Sequence, residues 1–185
     1  KESPDILITE LIALTLKDDL AFLKDVKNDT NCMIAVCGSY VSAEAEDILR
    51  GNPFIDFAVR GEYELTVKEL IERIIKGQKG NLASVNGLIY RNNNGDIKTN
   101  KQRELIKDID YLPFPDREDF PATIYPDFTL YSPCINIISS RGCPAGCVYC
   151  TDRHVVYNSP AYRMRSPSKV VDEMEYCIKK YGARQ

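Results

Sequence analysis

The sequence has no apolar run approaching the roughly 20 residues a helix needs to cross a bilayer, and no secretory signal pattern is visible in its 185 residues. Neither charge sign dominates, because 24 Lys and Arg stand against 27 Asp and Glu for a net charge of −3. That balance excludes a broad electrostatic footprint for nucleic acid or for a membrane surface. Histidine is nearly absent: His154 is the only one. There is no internal repeat, and no low-complexity stretch apart from an asparagine turn at 92–95. With 44% hydrophobic and 28% charged residues, the composition is that of a soluble globular protein with a real core.

Cysteine, by contrast, is plentiful. The seven are Cys32, Cys37, Cys134, Cys143, Cys147, Cys150 and Cys177. An odd count without a secretory signal argues against a disulfide framework and for a reducing, cytoplasmic setting. Cys32, Cys37 and Cys177 are expected as small buried hydrophobes. Three others are clustered in Cys143-Pro-Ala-Gly-Cys147-Val-Tyr149-Cys150. The cluster follows an apolar segment, 135–138, through the polar turn 139–142. Three thiols on one loop can hold three corners of an iron–sulfur cube and leave the fourth iron open, whereas a structural metal site is normally closed by a fourth ligand. A structural zinc reading stays open, with His154 or Cys134 closing a tetrahedral set.

The first hundred residues alternate strand-like and helix-like segments. Strands are expected at 5–9, 32–37 and 54–59, and a hairpin at 87–90 and 96–99 around the asparagine turn. A helix capped by Thr15, with Asp18 completing a capping box, carries Leu16, Leu20, Leu23 and Val26 on one face. Ser42 is expected to cap the next helix, with Glu44 and Glu46 in its first turn. Thr66 and Glu69 are expected as a capping pair for a third, carrying Val67, Leu70, Ile71, Ile74 and Ile75 and ending at Gly77. Alternation with buried strands implies an α/β fold with a doubly wound parallel sheet, Rossmann- or flavodoxin-like, that binds ligands beyond the carboxyl ends of its strands.

Residues 111–133 change character. Pro113, Pro115, Pro121, Pro126 and Pro133 interrupt regular structure and make a stiff linker whose aromatic residues pack onto a domain. A second unit then reads as strand 134–139, the cysteine loop and a helix. Ser166 caps that helix, Pro167 takes its first position and Gly182 follows its end. Its expected buried face is Val170, Met174, Cys177 and Tyr181. The expected division is 1–110, linker 111–133, and 134–185. Arg163 and Arg165 are expected to face solvent, or alternatively to meet the carboxylate of a bound ligand or an anionic substrate.

The Cys143-x-x-x-Cys147-x-Tyr149-Cys150 loop resembles the signature of radical S-adenosylmethionine (SAM) enzymes, including the aromatic residue before the third cysteine. Cys37-Gly-Ser-Tyr-Val-Ser42, Ile55-Asp-Phe-Ala-Val-Arg-Gly-Glu62 and Asp108-Ile-Asp-Tyr-Leu-Pro-Phe-Pro115 resemble the cobalamin-binding domain and linker that precede the barrel in one class of them. The resemblance covers essentially the whole chain. It implies most of a cobalamin-binding domain, lacking its first strand, followed by the first βα unit of a radical SAM partial TIM barrel.

The resemblance further implies that Cys143, Cys147 and Cys150 ligate a 4Fe-4S cluster. SAM would chelate the open iron, with Tyr149 near its adenine, and its reductive cleavage would yield a 5′-deoxyadenosyl radical. Cobalamin would lie near Thr9, Leu11, Gly38, Ser39, Ser42 and Gly61. An electron donor such as flavodoxin or ferredoxin, a small-molecule substrate, and cobalamin-dependent methyl transfer or cyclisation complete what it implies. The chain departs from the pattern in two places: Cys37-Gly38 stands for a paired glycine, and Tyr40 for a histidine. No lower-axial histidine is therefore assigned. Most of the barrel is missing, so this stretch is expected not to turn over alone. A cobalamin-binding or sensory module without catalysis stays open, as does a zinc-stabilised interaction domain.

Overall fold

The computed structural model describes residues 4–77, 81–119 and 133–184. The chain divides into two compact units, one of Lys1–Leu105 with Ala145–Pro160 and one of Ile106–Pro144 with Ala161–Gln185.

In the first unit, β1 (Ile6–Glu10), β2 (Met33–Cys37), β3 (Phe57–Val59), β4 (Leu88–Arg91) and β5 (Ile97–Thr99) form one sheet in chain order. The helices α1 (Leu16–Thr30), α2 (Ser39–Gly51) and α3 (Glu64–Ile75) follow β1, β2 and β3. The sheet is mixed rather than wholly parallel: β1, β2 and β3 run parallel, while β3–β4 and β4–β5 pair antiparallel. The reason lies after α3. The chain re-enters at the carboxyl end of β3, where Arg60 N–H donates to Gly87 O at 3.0 Å and Val59 faces Leu88. From that point it can only run back. Strand order equals chain order, so the described residues contain no reversal of winding direction.

Side chains alternate across this sheet as a two-residue period requires. Ile34, Val36, Ala58 and Ile89 pack with Leu23 of α1 and with Val41, Ala45, Ile48 and Leu49 of α2. Ala35, Cys37, Phe57, Val59 and Leu88 pack on the opposite face with Leu70 of α3, Leu82 and Val85. At the amino ends of the strands, Asp56 accepts from Ile34 N–H and from Lys27, both at 2.8 Å.

Helix starts differ in detail from the reading above. Thr15 does precede α1, but its hydroxyl donates to Asp19 at 2.7 Å rather than acting with Asp18. Helix α2 begins at Ser39 after Gly38, so Ser42 lies one turn inside it and no acid occupies its first turn. Helix α3 starts at Glu64, so Thr66 is internal and buried. Its hydroxyl donates to Asn86 O at 2.9 Å and accepts from Arg103 at 2.7 Å, while Glu69 pairs with Arg103 at 2.5 Å.

In the second unit, a 3₁₀ turn at Ile109–Tyr111 precedes the two-stranded antiparallel ribbon of β6 (Ser140–Arg141) and β7 (Arg163–Met164), and α4 (Pro167–Tyr181) follows. The expected strand at 134–139 is irregular, because no strand among the described residues pairs with it. The expected α4 caps are present: the Ser166 hydroxyl accepts from Lys169 N–H, Pro167 opens the helix and Gly182 closes it in the left-handed region. Asp110 clamps the same end by accepting Ser166 N–H at 3.1 Å, and hydrogen bonding from Ser166, its side chain first and its backbone after, holds that carboxyl below the usual carboxylate range. This gives the Asp108–Pro115 part of the linker a physical role. Phe114 packs on Tyr176, with ring centroids 5.9 Å apart. Phe120, Tyr125 and Phe128 lie outside the described residues.

The buried face of α4 is not the expected one. Cys177 is buried, but Met174 is 50% exposed, and Glu173 is buried beside it. Glu173 pairs with Arg117 at 2.7 Å and with Arg165. Arg163 donates to Ile106 O at 2.6 Å. Neither Arg163 nor Arg165 therefore projects freely into solvent.

Gly142 sets the ribbon's close approach. Its φ is +84°, and a Cβ there would stand 1.9 Å from Ala161 O. Gly142→Ala is expected to destabilise this unit by more than about 2 kcal/mol, through strain and overpacking together. Urea unfolding checks it; an unchanged midpoint would show that the ribbon can splay without cost.

Candidate functional site

Two places carry the chemistry read from the sequence. The first is the carboxyl edge of the parallel strands in the first unit. Leu11 N–H donates to Cys37 O at 3.0 Å, and the Cys37 thiol lies 3.5 Å from Thr9 O, so the ends of β1 and β2 are tied together. Gly38 follows with φ +102°, where a Cβ would meet Leu11 O at 3.3 Å. Only glycine fits that turn without strain.

Ser42 then joins two loops. Its hydroxyl donates to Gly38 O at 2.8 Å and accepts Gly61 N–H at 2.9 Å. A serine bonding back to the carbonyl four residues earlier bends a helix, and α2 does kink at Glu44, with φ −121° and ψ 23°. Gly61 is buried, and a Cβ there would stand 3.3 Å from Val156 O.

Of the expected edge residues, the structure thus connects Thr9, Gly38, Ser42 and Gly61 through backbone, the Cys37 thiol and one hydroxyl. Ser39 is half-buried at the first position of α2. Leu11 has its backbone at the edge but its side chain in the core.

Cys37 is a buried thiol at this edge, pushed up to about 12 by burial first and then by Glu10 and Glu64. It stays protonated at neutral pH and is no thiolate ligand there. Tyr63 donates to Glu10 at 2.8 Å, and burial with that bond raises its phenol as well. Sequence reading missed this Tyr63–Glu10 pair, because nothing local links residues 53 positions apart.

The second place is the cysteine loop. Cys143 belongs to the second unit, Cys147 and Cys150 to the first. Cys147 is exposed, Cys143 and Cys150 are half-buried, and no disulfide engages any of the seven cysteines. Cys150 N–H donates to Cys147 O at 3.1 Å, so these two share one turn. That turn continues into a π turn at Asp152–Val156, which packs against α2. His154 lies in it with Nε2 2.9 Å from Cys147 O, a backbone contact. Tyr149 is 87% exposed.

Among the described residues, no three Cys, His, Asp or Glu side chains are gathered as a metal site. The thiols nevertheless fit an iron–sulfur cluster by the chemistry of the donor set: three soft ligands within eight residues, with one sulfur open to solvent. No imidazole stands on the strands or strand-end loops of the sheet edge.

No protein-family model matches the chain. It is 31% identical over 186 residues, all of this chain and 39% of the relative, to an uncharacterized methyltransferase of Pyrococcus horikoshii. It is 30% identical over 139 residues, 72% of this chain and 24% of the relative, to the anaerobic magnesium-protoporphyrin IX monomethyl ester cyclase of Rubrivivax gelatinosus. The chain therefore spans well under half of these relatives. Among solved structures it superposes on the radical SAM methyltransferase TsrM from Kitasatospora setae with TM-score 0.71 and 17% identity, covering 97% of this chain and 36% of that one. The cobalamin-dependent SAM radical enzyme OxsB gives TM-score 0.69 at 20% identity, over 97% of this chain and 24% of that one. The resemblance read from the sequence is borne out: the chain matches the cobalamin-binding class of radical SAM enzymes.

Two outcomes follow from the edge. Ser42→Ala leaves the Gly61 amide without its acceptor, at a cost of about 1–3 kcal/mol, and hydrogen exchange at Gly61 should quicken while that at Leu49 does not. The Cys37 thiol binds its proton more tightly folded than unfolded. Its contribution to stability is therefore complete below the thiol's ordinary value near 9 and is lost as pH rises toward about 12. Melting temperatures of the wild type should fall across that window, and the fall should be shallower in Cys37→Val; parallel curves would contradict it.

Proposed function

We propose that this chain, a relative of the cobalamin-binding class of radical SAM enzymes over its whole length, carries the iron–sulfur ligands and part of the cobalamin domain of such an enzyme. The observation that carries the reading is the Cys143-x-x-x-Cys147-x-x-Cys150 loop. Its three thiolates would bind three irons and leave a fourth for the amine and carboxylate of SAM. When bound, such a cluster supplies the electron that splits the SAM sulfonium and releases a 5′-deoxyadenosyl radical.

The chain's own residues do the placing. Cys147 and Cys150 hold two ligands within one hydrogen-bonded turn. Tyr149, exposed between them, would lie along the SAM adenine. Gly38 and Gly61, fixed through the Ser42 hydroxyl, would present backbone to cobalamin over the sheet edge. Thr9, Leu11 and Ser39 would line that edge mainly through backbone. No histidine is assigned to the cobalt, and the reading needs none.

Two of the relatives, the methyltransferase and the cyclase, act by different outcomes, so the reading extends to methyl transfer or cyclisation on a small molecule. The electron would come from a flavodoxin- or ferredoxin-like donor in the cytoplasm. We place turnover in a chain of the relatives' length rather than in these residues alone. No helix among the described residues is long and apolar enough to cross a membrane.

Anaerobic reconstitution with iron and sulfide should give a brown protein with about four irons per chain. Cys147→Ala should lose them. A colourless protein, or one zinc and no iron by elemental analysis, would overturn the cluster reading. Titration with hydroxocobalamin tests the edge separately, through a shift in the corrin absorption that Gly38→Val should abolish.

A further inference from the structure

Glu173 is a carboxylate sealed inside the second unit, 1% exposed, on a helix whose neighbouring apolar positions face outward. Burying a charge is costly unless it is paired and hydrogen-bonded. Here two guanidiniums do that, Arg117 at 2.7 Å and Arg165 in close contact. Both arginines are themselves largely buried.

Each arginine also reaches past Glu173 to one short stretch of backbone. Arg117 donates to Asn136 O at 3.2 Å, and Arg165 donates to Ile138 O at 3.1 Å. The main chain adds a third tie, Arg165 N–H to Ser139 O at 2.9 Å. Arg165 is steadied further by the Phe114 ring, 5.6 Å from its guanidinium carbon, and by Asp110 at 4.0 Å. Among the described residues no strand pairs with 136–139, so these ties stand in for a ladder. They lead directly into β6, and Cys143 follows two residues after β6 ends, beyond the tight Gly142 contact.

We propose that Glu173 is a positioning residue for Cys143: through Arg117 and Arg165 it fixes the backbone that delivers the first thiol of the cysteine loop. This rests on the reading of Cys143 as a cluster ligand. Without the carboxylate, two buried cations repel each other and turn toward water. Both then release the carbonyls at 136 and 138, and the approach to Cys143 loosens while Cys147, in the other unit, is untouched.

The test is iodoacetamide alkylation of the cluster-free full chain, with the rate at each cysteine read by peptide mass spectrometry. Glu173→Gln should raise the rate at Cys143 about fivefold by raising local opening, and leave Cys147 unchanged. Arg117→Lys should act in the same direction, because an ammonium cannot span Glu173 and Asn136 O as the guanidinium fork does. It decides alone if Glu173→Gln does not fold. Cys177→Ala, which opens a small cavity one turn along the same helix, should leave Cys143 at the wild-type rate. An unchanged Cys143 rate in a folded variant overturns the proposal, and so does equal acceleration by Cys177→Ala, which would mark Glu173 as merely structural. Iron loading of the same proteins separates the two claims. If the wild type takes no iron but Cys143 responds, the ligand reading falls and the positioning stands; if it takes iron and Cys143 does not respond, the positioning falls alone.

Discussion

Burial of the central strands on both faces is the constraint on which the first unit depends. Met33–Cys37 and Phe57–Val59 place alternate residues into two separate cores. A strand so placed must have helices above and below it, and the chain supplies α1 and α2 on one side and α3 on the other. Covering the faces leaves only the edges open. Because β1, β2 and β3 are parallel, their loops leave from the same end, which is where a ligand can approach backbone. The glycine after β2 and the buried glycine after β3 are therefore consequences of the same packing that makes the core. Ser42 completes the arrangement by satisfying a carbonyl from one loop and an amide from the other.

The second unit solves a different problem with different means. Among its described residues few large apolar side chains are buried: Ile106, Ile109 and Cys177 are, while Val171, Met174 and Ile178 of α4 remain exposed. Polar pairing orders its described residues. Asp110 holds the start of α4, Arg163 reaches Ile106 O, and Glu173 sits between two guanidiniums. A buried ionic cluster adds less net stability than an apolar core of equal volume, but it tolerates few alternative arrangements because each unpaired charge is costly. If this segment delivers Cys143 to a metal, as proposed, definition matters more than depth of the well.

The sequence carried the succession of elements better than their directions. Hydrophobic period located β1, β2, α1, α3 and the hairpin, since those segments bury regular faces. Direction failed after α3, because it depends on where the chain re-enters, and the Arg60–Gly87 contact that decides this is not local. Caps were half legible. Ser166, Pro167 and Gly182 behave as their side chains dictate, whereas Ser42 and Thr66 found longer-range partners and ended inside their helices. The face of α4 was misread at Glu173, because a carboxylate counts as outward in any periodicity argument unless its two arginines are known to be adjacent. The cysteine loop was read from its spacing as a candidate donor set, and spacing carries no geometry.

That last distinction has a physical origin. A thiolate is a charged, polarisable ligand, and three of them held within bonding distance of one centre repel one another unless cations lie between them. The work of gathering them is offset by the metal–sulfur bonds, so ligand assembly is coupled to binding and need not be built into the fold beforehand. What the fold must supply is reach and limited freedom. Cys147 and Cys150 already share one turn, so their separation is set by a single hydrogen bond. Cys143 belongs to the other compact unit, and the backbone before it runs through β6 and Gly142 from residues 136–139, whose carbonyls at 136 and 138 the arginines hold. On the proposed reading, a local turn sets two of the three sulfurs, and Glu173 with its two arginines sets the backbone that leads to the third.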